Sequence, residues 1–171
     1  MLVESFSGIR GIYGKDLNED IARRYAYSYL LTLTEKSPKI VIGIDTRTSS
    51  ESLKKAIFDV FEDIIDVGIA TTPMTELAVR AYKADGGIMI TASHNEPEWN
   101  GFKFLDRDGA VLRPEHINKA IANFNKIKSM PEADFMNKLH KKDPEVHRIE
   151  KQHEDIKRRY YEFIIKTINE K

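Results

Sequence analysis

The sequence predicts an α/β domain in which a mixed, mostly parallel sheet lies between layers of helices. Two observations lead there. Three short apolar runs, "KIVIGID", "DVGIA" and "GGIMITA", alternate with segments whose apolar residues recur at helical spacing. Beyond them, "FKFLD" and "AVLR" flank "RDG", a hairpin signal that adds antiparallel pairing.

The elements follow in order. "NEDIARRYAYSYLLTLTE", Asn18 to Glu35, opens on an N-cap residue and predicts a helix whose tyrosines form core and rim. "KIVIGID", Lys39 to Asp45, follows Pro38 and reads as a buried strand. "TRTSSE" reads as a polar loop with cap residues. "SLKKAIFDVFEDII", Ser52 to Ile65, predicts an amphipathic helix that runs directly into the strand "DVGIA", Asp66 to Ala70. "TELAVRAYKAD", Thr75 to Asp85, predicts a helix capped by Thr75. "GGIMITA", Gly86 to Ala92, is a second buried strand, its paired glycines suited to a crowded start. "PEHINKAIANFNKI" has Pro114 at its first turn and predicts another helix. From Lys128 the chain is charged and poor in apolar residues, which predicts a loose connection and then a helix from about Glu150. The apolar face of "YYEFIIKTI" has no evident partner in the chain. The chain thus divides into 1–127, the main domain, and 128–171, a charged connection and helix.

Composition narrows the function. The 171 residues contain 27 Lys+Arg and 27 Asp+Glu, so no basic excess points to nucleic acid or to a membrane surface. The absence of cysteine removes disulfides, thiolate metal sites and a cysteine nucleophile. "MLVESFSGIRG" lacks the charged and apolar regions of a signal peptide, so a soluble, cytoplasmic protein is expected. There is neither G-x-G-x-x-G after a strand nor a P-loop, which speaks against a nucleotide binder.

The chemistry concentrates after "GGIMI", in "TASHNEPEWNG", Thr91 to Gly101. Ligands of open α/β sheets bind at the carboxyl ends of strands. Ser93 and His94 are adjacent, so in extended chain they point to opposite faces and do not form a serine–histidine dyad. A serine without a local base can still carry phosphate, because phosphoryl transfer depends mostly on positioning and charge neutralisation. Lys103, just past the loop, and Arg10, in "SGIRG", are suitable cationic partners. Asn100-Gly101 reads as a tight turn, with Pro97 and Trp99 ordering the loop. Asp106 and Asp108, flanking Arg107, read as a hairpin turn and not as a metal site. The spacing of His140, His147 and His153 does not fit one helical face.

"TASHNEPEWNGFK" resembles the phosphoserine loop of the α-D-phosphohexomutases, the phosphoglucomutase and phosphomannomutase family. "SGIRGIYG", "GIDTRTSSESL", "GIATTP" and "ADGGIMITASHN" extend the resemblance over Ser7 to about Ile127, the family's first domain. The resemblance implies that Ser93 is phosphorylated, gives its phosphate to a hexose phosphate, and takes the other phosphate back from the bisphosphate. It implies that His94, Lys103 and Arg10 line the site, with Lys103 assisting proton transfer. It implies Mg²⁺, held in part by a phosphate oxygen on Ser93.

The departures are equally specific. The family's three-aspartate metal loop, its sugar-binding loop and its phosphate-clamping domain are not found in these residues. Glu96 stands where the family usually has Pro, and Ile44 where it usually has Arg. The tail "HEDIKRRYYEFIIKTINEK" resembles the helix leading into a second domain. Two functions follow. Either this is the phosphoserine domain of a mutase, incomplete as a single chain, or it is a non-catalytic module or half-enzyme that acts with another chain. Hexose phosphate and hexose bisphosphate are the implied ligands. Self-association through the tail helix, or pairing with a chain that carries the missing domains, is the implied protein contact.

Overall fold

Ile40, Ile42 and Ile44 face one side of their strand and Val41 the other, and all four are buried. A strand apolar on both faces needs helices on both sides. The computed structural model, which describes residues 2–139 and 148–169, has that architecture. Seven strands form one sheet: β1 (Val3–Ser5), β2 (Gly8–Ile12), β3 (Lys39–Ile44), β4 (Asp63–Ile69), β5 (Gly86–Ile90), β6 (Trp99–Leu105) and β7 (Arg148–Lys151). Their order is β1-β2-β6-β5-β3-β4-β7. The pairs β3–β4, β3–β5 and β4–β7 are parallel, while β1–β2, β2–β6 and β5–β6 are antiparallel. Strands β1 and β6 therefore run against the other five, as expected of a mixed, mostly parallel sheet.

Helices α1 (Glu19–Leu30), α2 (Ser50–Phe58), α4 (Pro114–Ile127) and α5 (Glu132–Leu139) cover one face. Their core is aromatic: Tyr25 stacks on Phe124 at 3.8 Å and Tyr29 on Phe104 at 4.8 Å. The Tyr29 hydroxyl donates to the Leu105 carbonyl at 2.6 Å. A Cβ added at Gly86 would collide with that hydroxyl, so the crowded start of β5 admits only glycine. Helices α3 (Thr72–Ala81) and α6 (His153–Asn169) cover the other face, over Val41, Ile65, Val67 and Leu105, with Ile156 of α6 buried among them.

Several elements differ from the sequence expectation. The predicted helix 52–65 ends at Phe58 as α2, and Asp63–Ile69 is β4, because Ile64 and Ile65 pair with Ile40 and Val41. Helix α3 begins at Thr72, with Thr71 as its cap accepting from Met74 N, and Pro73 sits in its first turn. Thr75 is instead buried, its hydroxyl against the Met89 sulfur. Asn100 and Gly101 are not a turn. They lie in β6, where the backbone of Ile9 leaves no room for a Cβ at Gly101. "AVLR" contributes only an isolated bridge, Leu105 to Val111. "RDG" is a turn, and Asp106 Oδ1 accepts from the N–H groups of Asp108 and Ala110.

The segment after Lys128 is also more ordered than expected. Phe135 of α5 is fully buried, with Tyr27 edge-on at 5.7 Å and the Arg24 guanidinium over its ring at 4.6 Å. Strand β7 extends the sheet beyond β4. The first half of α6 finds a partner in α3: Ile156 is fully buried and Asp155 accepts from the Tyr82 hydroxyl at 2.8 Å. Its second half leaves Phe163, Ile165 and Ile168 exposed. Hence Phe135→Ala should cost about 3–5 kcal/mol in urea unfolding, whereas Phe163→Ala should change stability by about 0.5 kcal/mol or less.

Acid should loosen α6 first. Arg159, then Tyr82 and Arg158, hold the Asp155 carboxyl down to about 2. That lies below the unfolded value of about 3.9, so the stabilisation is complete above that value and is lost as pH falls towards about 2. Hydrogen exchange between pH 5 and pH 2 should therefore show α6 amides losing protection before those of β3.

Candidate functional site

Strand β5 is the middle strand of the sheet, and the chain leaves its carboxyl end at Thr91. Thr91 is buried, and its hydroxyl accepts the N–H of Ser93 at 2.8 Å. Ser93 takes up a left-handed backbone, φ 60°, and is exposed. This conformation is uncommon for a residue with a Cβ and persists only where surrounding contacts enforce it. Among the described residues none hydrogen-bonds the Ser93 hydroxyl, so its backbone is held while its oxygen is open.

The enforcing contacts come from Arg47. Its Nη2 donates to the carbonyls of Ser93 (3.1 Å) and Asn95 (2.8 Å). Its Nη1 donates to those of Glu96 (2.6 Å) and Trp99 (2.9 Å). Its Nε pairs with Asp45 at 3.0 Å. Asp45 in turn accepts from the Ser50 hydroxyl at 2.7 Å. Asn100, fully buried, donates its amide to both Ser49 and Ser50 at 2.9 Å. The segment 45–50 is therefore a cradle for the loop, where the sequence predicted only a polar connection. Its signal was an arginine two residues beyond the acidic strand end, in "GIDTRTSSE".

The structure places the other candidates unequally. Arg10 on β2 reaches the loop, donating to Asn95 Oδ1 at 3.1 Å. Lys103 on β6 pairs with Met89, two positions in from Gly101, which lies opposite Arg10. By strand alternation Arg10, Lys103 and Thr91 share one sheet face. His94 is exposed beside Ser93. A cavity of about 450 Å³ opens in front of Ser93, lined also by Thr46, Arg47, Thr48, Thr91 and Asn95. Arg10, Lys103 and His94 do not line it.

Two further cavities share Asp45 and Thr46. One, of about 580 Å³, reaches Lys54 and His153, and the other, of about 530 Å³, reaches Tyr160 and Tyr161. Beside the first, which Lys54, Gly68 and His153 line, buried Asp66 holds Lys54 at 3.0 Å and the Gly68 N–H at 2.9 Å, with His153 packed over Gly68. His140 and His147 lie outside the described residues. Among the described residues, no group of three or more His, Asp or Glu side chains is placed to hold a metal ion. Nor is any helix long and apolar enough to cross a membrane.

The family model described as phosphoglucomutase/phosphomannomutase, alpha/beta/alpha domain I, matches residues 4–131. The chain belongs to this family. It is 41% identical over 127 residues to a phosphoglucosamine mutase of a Thermoanaerobacter species, covering 71% of this chain and 28% of that protein. It is 44% identical over 111 residues to the phosphoglucosamine mutase of Clostridium acetobutylicum, covering 61% of this chain and 25% of that protein. A solved phosphoglucomutase/phosphomannomutase family protein from Burkholderia thailandensis shares 28% identity and a TM-score of 0.63 over 75% of this chain and 31% of that chain. The chain thus spans about a quarter to three tenths of these phosphohexomutases. It is the phosphohexomutase domain I, homologous to phosphoglucosamine mutases.

Within this phosphohexomutase domain, Asn100 ties the loop strand to the cradle. Asn100→Ala would leave the Ser49 and Ser50 hydroxyls without that donor in a buried place. It should cost about 1–3 kcal/mol, measured by urea unfolding.

Proposed function

We propose that Ser93 carries the phosphoryl group of a hexose-phosphate mutase, and that this chain is the phosphoserine-bearing part of that enzyme. The carrying observation is an open hydroxyl on a fixed, left-handed backbone at the carboxyl end of the central strand. Such a group is presented for transfer and is not engaged in packing. In the forward step the bond from phosphorus to Ser93 Oγ breaks and a bond to a sugar hydroxyl oxygen forms. The hydroxyl proton passes to Ser93 Oγ, relayed by Lys103, and a sugar bisphosphate results. The reverse step on the other phosphate returns the phosphoserine. Arg10 supports the loop through Asn95, and His94 borders the exposed serine. Glucosamine phosphate is the first substrate to try, because the relatives above are phosphoglucosamine mutases.

The described residues do not fit a complete Mg²⁺ site. Hard cations need several placed oxygens, and the Asp45 carboxylate, the acid beside Ser93, is committed to Arg47 and Ser50. The chain's own contribution would be one phosphate oxygen on Ser93. A sugar clamp and the other metal ligands must come from elsewhere, so residues 1–171 alone should not turn over.

Incubation with a hexose 1,6-bisphosphate, followed by intact-mass measurement, is the test. One phosphoryl group should appear on the chain and none on Ser93→Ala. A coupled mutase assay of the chain alone should show no turnover, and a rate near the enzyme median of about 10 per second would overturn the incompleteness.

A further inference from the structure

We propose that Arg47 is a positioning residue for Ser93, which fixes the loop backbone and is not a ligand of the phosphoryl group. The inference rests on Ser93 as the phosphate carrier and concerns what holds it. A guanidinium has five N–H donors and no acceptor. In this chain five acceptors take them: one carboxylate oxygen of Asp45 and the carbonyls of Ser93, Asn95, Glu96 and Trp99. No donor remains for a phosphate oxygen, although Arg47 lines the cavity in front of Ser93.

Three of the four carbonyls, those of Ser93, Asn95 and Glu96, lie between the end of β5 and the start of β6, outside strand pairing, and the fourth is that of Trp99, the first residue of β6. They converge on one planar group, and the Ser93 N–H is held separately by Thr91. The Ser93 peptide is thereby fixed on both sides in its left-handed conformation. Arg47 is itself anchored, since Asp45 accepts both its Nε and its own backbone N–H. A lysine cannot replace it: an ammonium is a point donor without the fork that spans separated carbonyls. The charge of a phosphoserine must then be met by other groups, among them Arg10, which reaches the loop at Asn95.

Hydrogen exchange on Arg47→Lys tests this without any activity. The Asn95 and Trp99 amides, which close the loop on Ala92 and Glu96, should exchange about ten-fold faster or more, as loss of charge-assisted bonds predicts, with β3 and β5 unchanged. Unchanged loop protection overturns the proposal. The second measurement is phosphate uptake from a hexose 1,6-bisphosphate. Arg47→Lys should slow it by about ten-fold to a hundred-fold, and Arg47→Ala should be partly rescued by added methylguanidinium. Lost uptake with unchanged exchange would make Arg47 a phosphate ligand and overturn the proposal. Faster exchange with wild-type uptake would remove its link to the reaction. If wild type takes up no phosphate, the assignment of Ser93 fails, and the exchange result still decides the role of Arg47.

Discussion

The site depends on a side chain that recognises backbone. Parallel pairing of β3 with β5 brings Ile44 opposite Ile90, and the Asp45 N–H continues the ladder to the Ile90 carbonyl at 3.0 Å. The two strand ends are therefore locked side by side before the loops begin. Arg47 leaves one end and collects the carbonyls of the loop that leaves the other. The same segment starts α2, and Ser49 and Ser50 reach Asn100 on β6. Three elements far apart in sequence thus meet around one irregular stretch, and Ser93 inherits its conformation from them.

The sequence made the strands and the serine legible for physical reasons. β3 and β5 are short runs buried on both faces. α4 coincided with its expected span because Pro114 marks its start and Ile117, Ala120, Phe124 and Ile127 keep the helical period. The first residues of β4, Asp63 to Ile65, were hidden because Phe58, Phe61, Ile64 and Ile65 also fall at helical intervals, and only pairing with β3 resolves the ambiguity. The short β7 has few apolar residues, so its pairing with β4 left no pattern to find. Arg47 was hidden for another reason: its acceptors are peptide carbonyls, which every residue has. A side chain that binds side chains leaves two signals in a sequence, and one that binds backbone leaves one.

The two faces of the sheet are unequal. One core is continuous from Ile9 to Leu139 and rich in stacked rings. The other is smaller, and α6 completes it through Ile156 and the partly buried Tyr160. The neighbouring cavity, which shares Asp45, Thr46 and Thr91 with the one at Ser93, is therefore walled in part by the thinner layer, through Lys157, Tyr160 and Tyr161.

The parallel addition of β7 to β4 has a consequence for solubility. Without it β4 would be an outermost strand, presenting a row of unpaired N–H and C=O groups beside Ile64, Ile65 and Val67. Such a margin is a template for any foreign extended chain. β7 occupies it over Asp63–Asp66 and carries two charged residues, Glu150 and Lys151. At the opposite margin lies β1, three residues long. The sheet is thus guarded against runaway strand addition on one side by a charged cover and on the other by brevity.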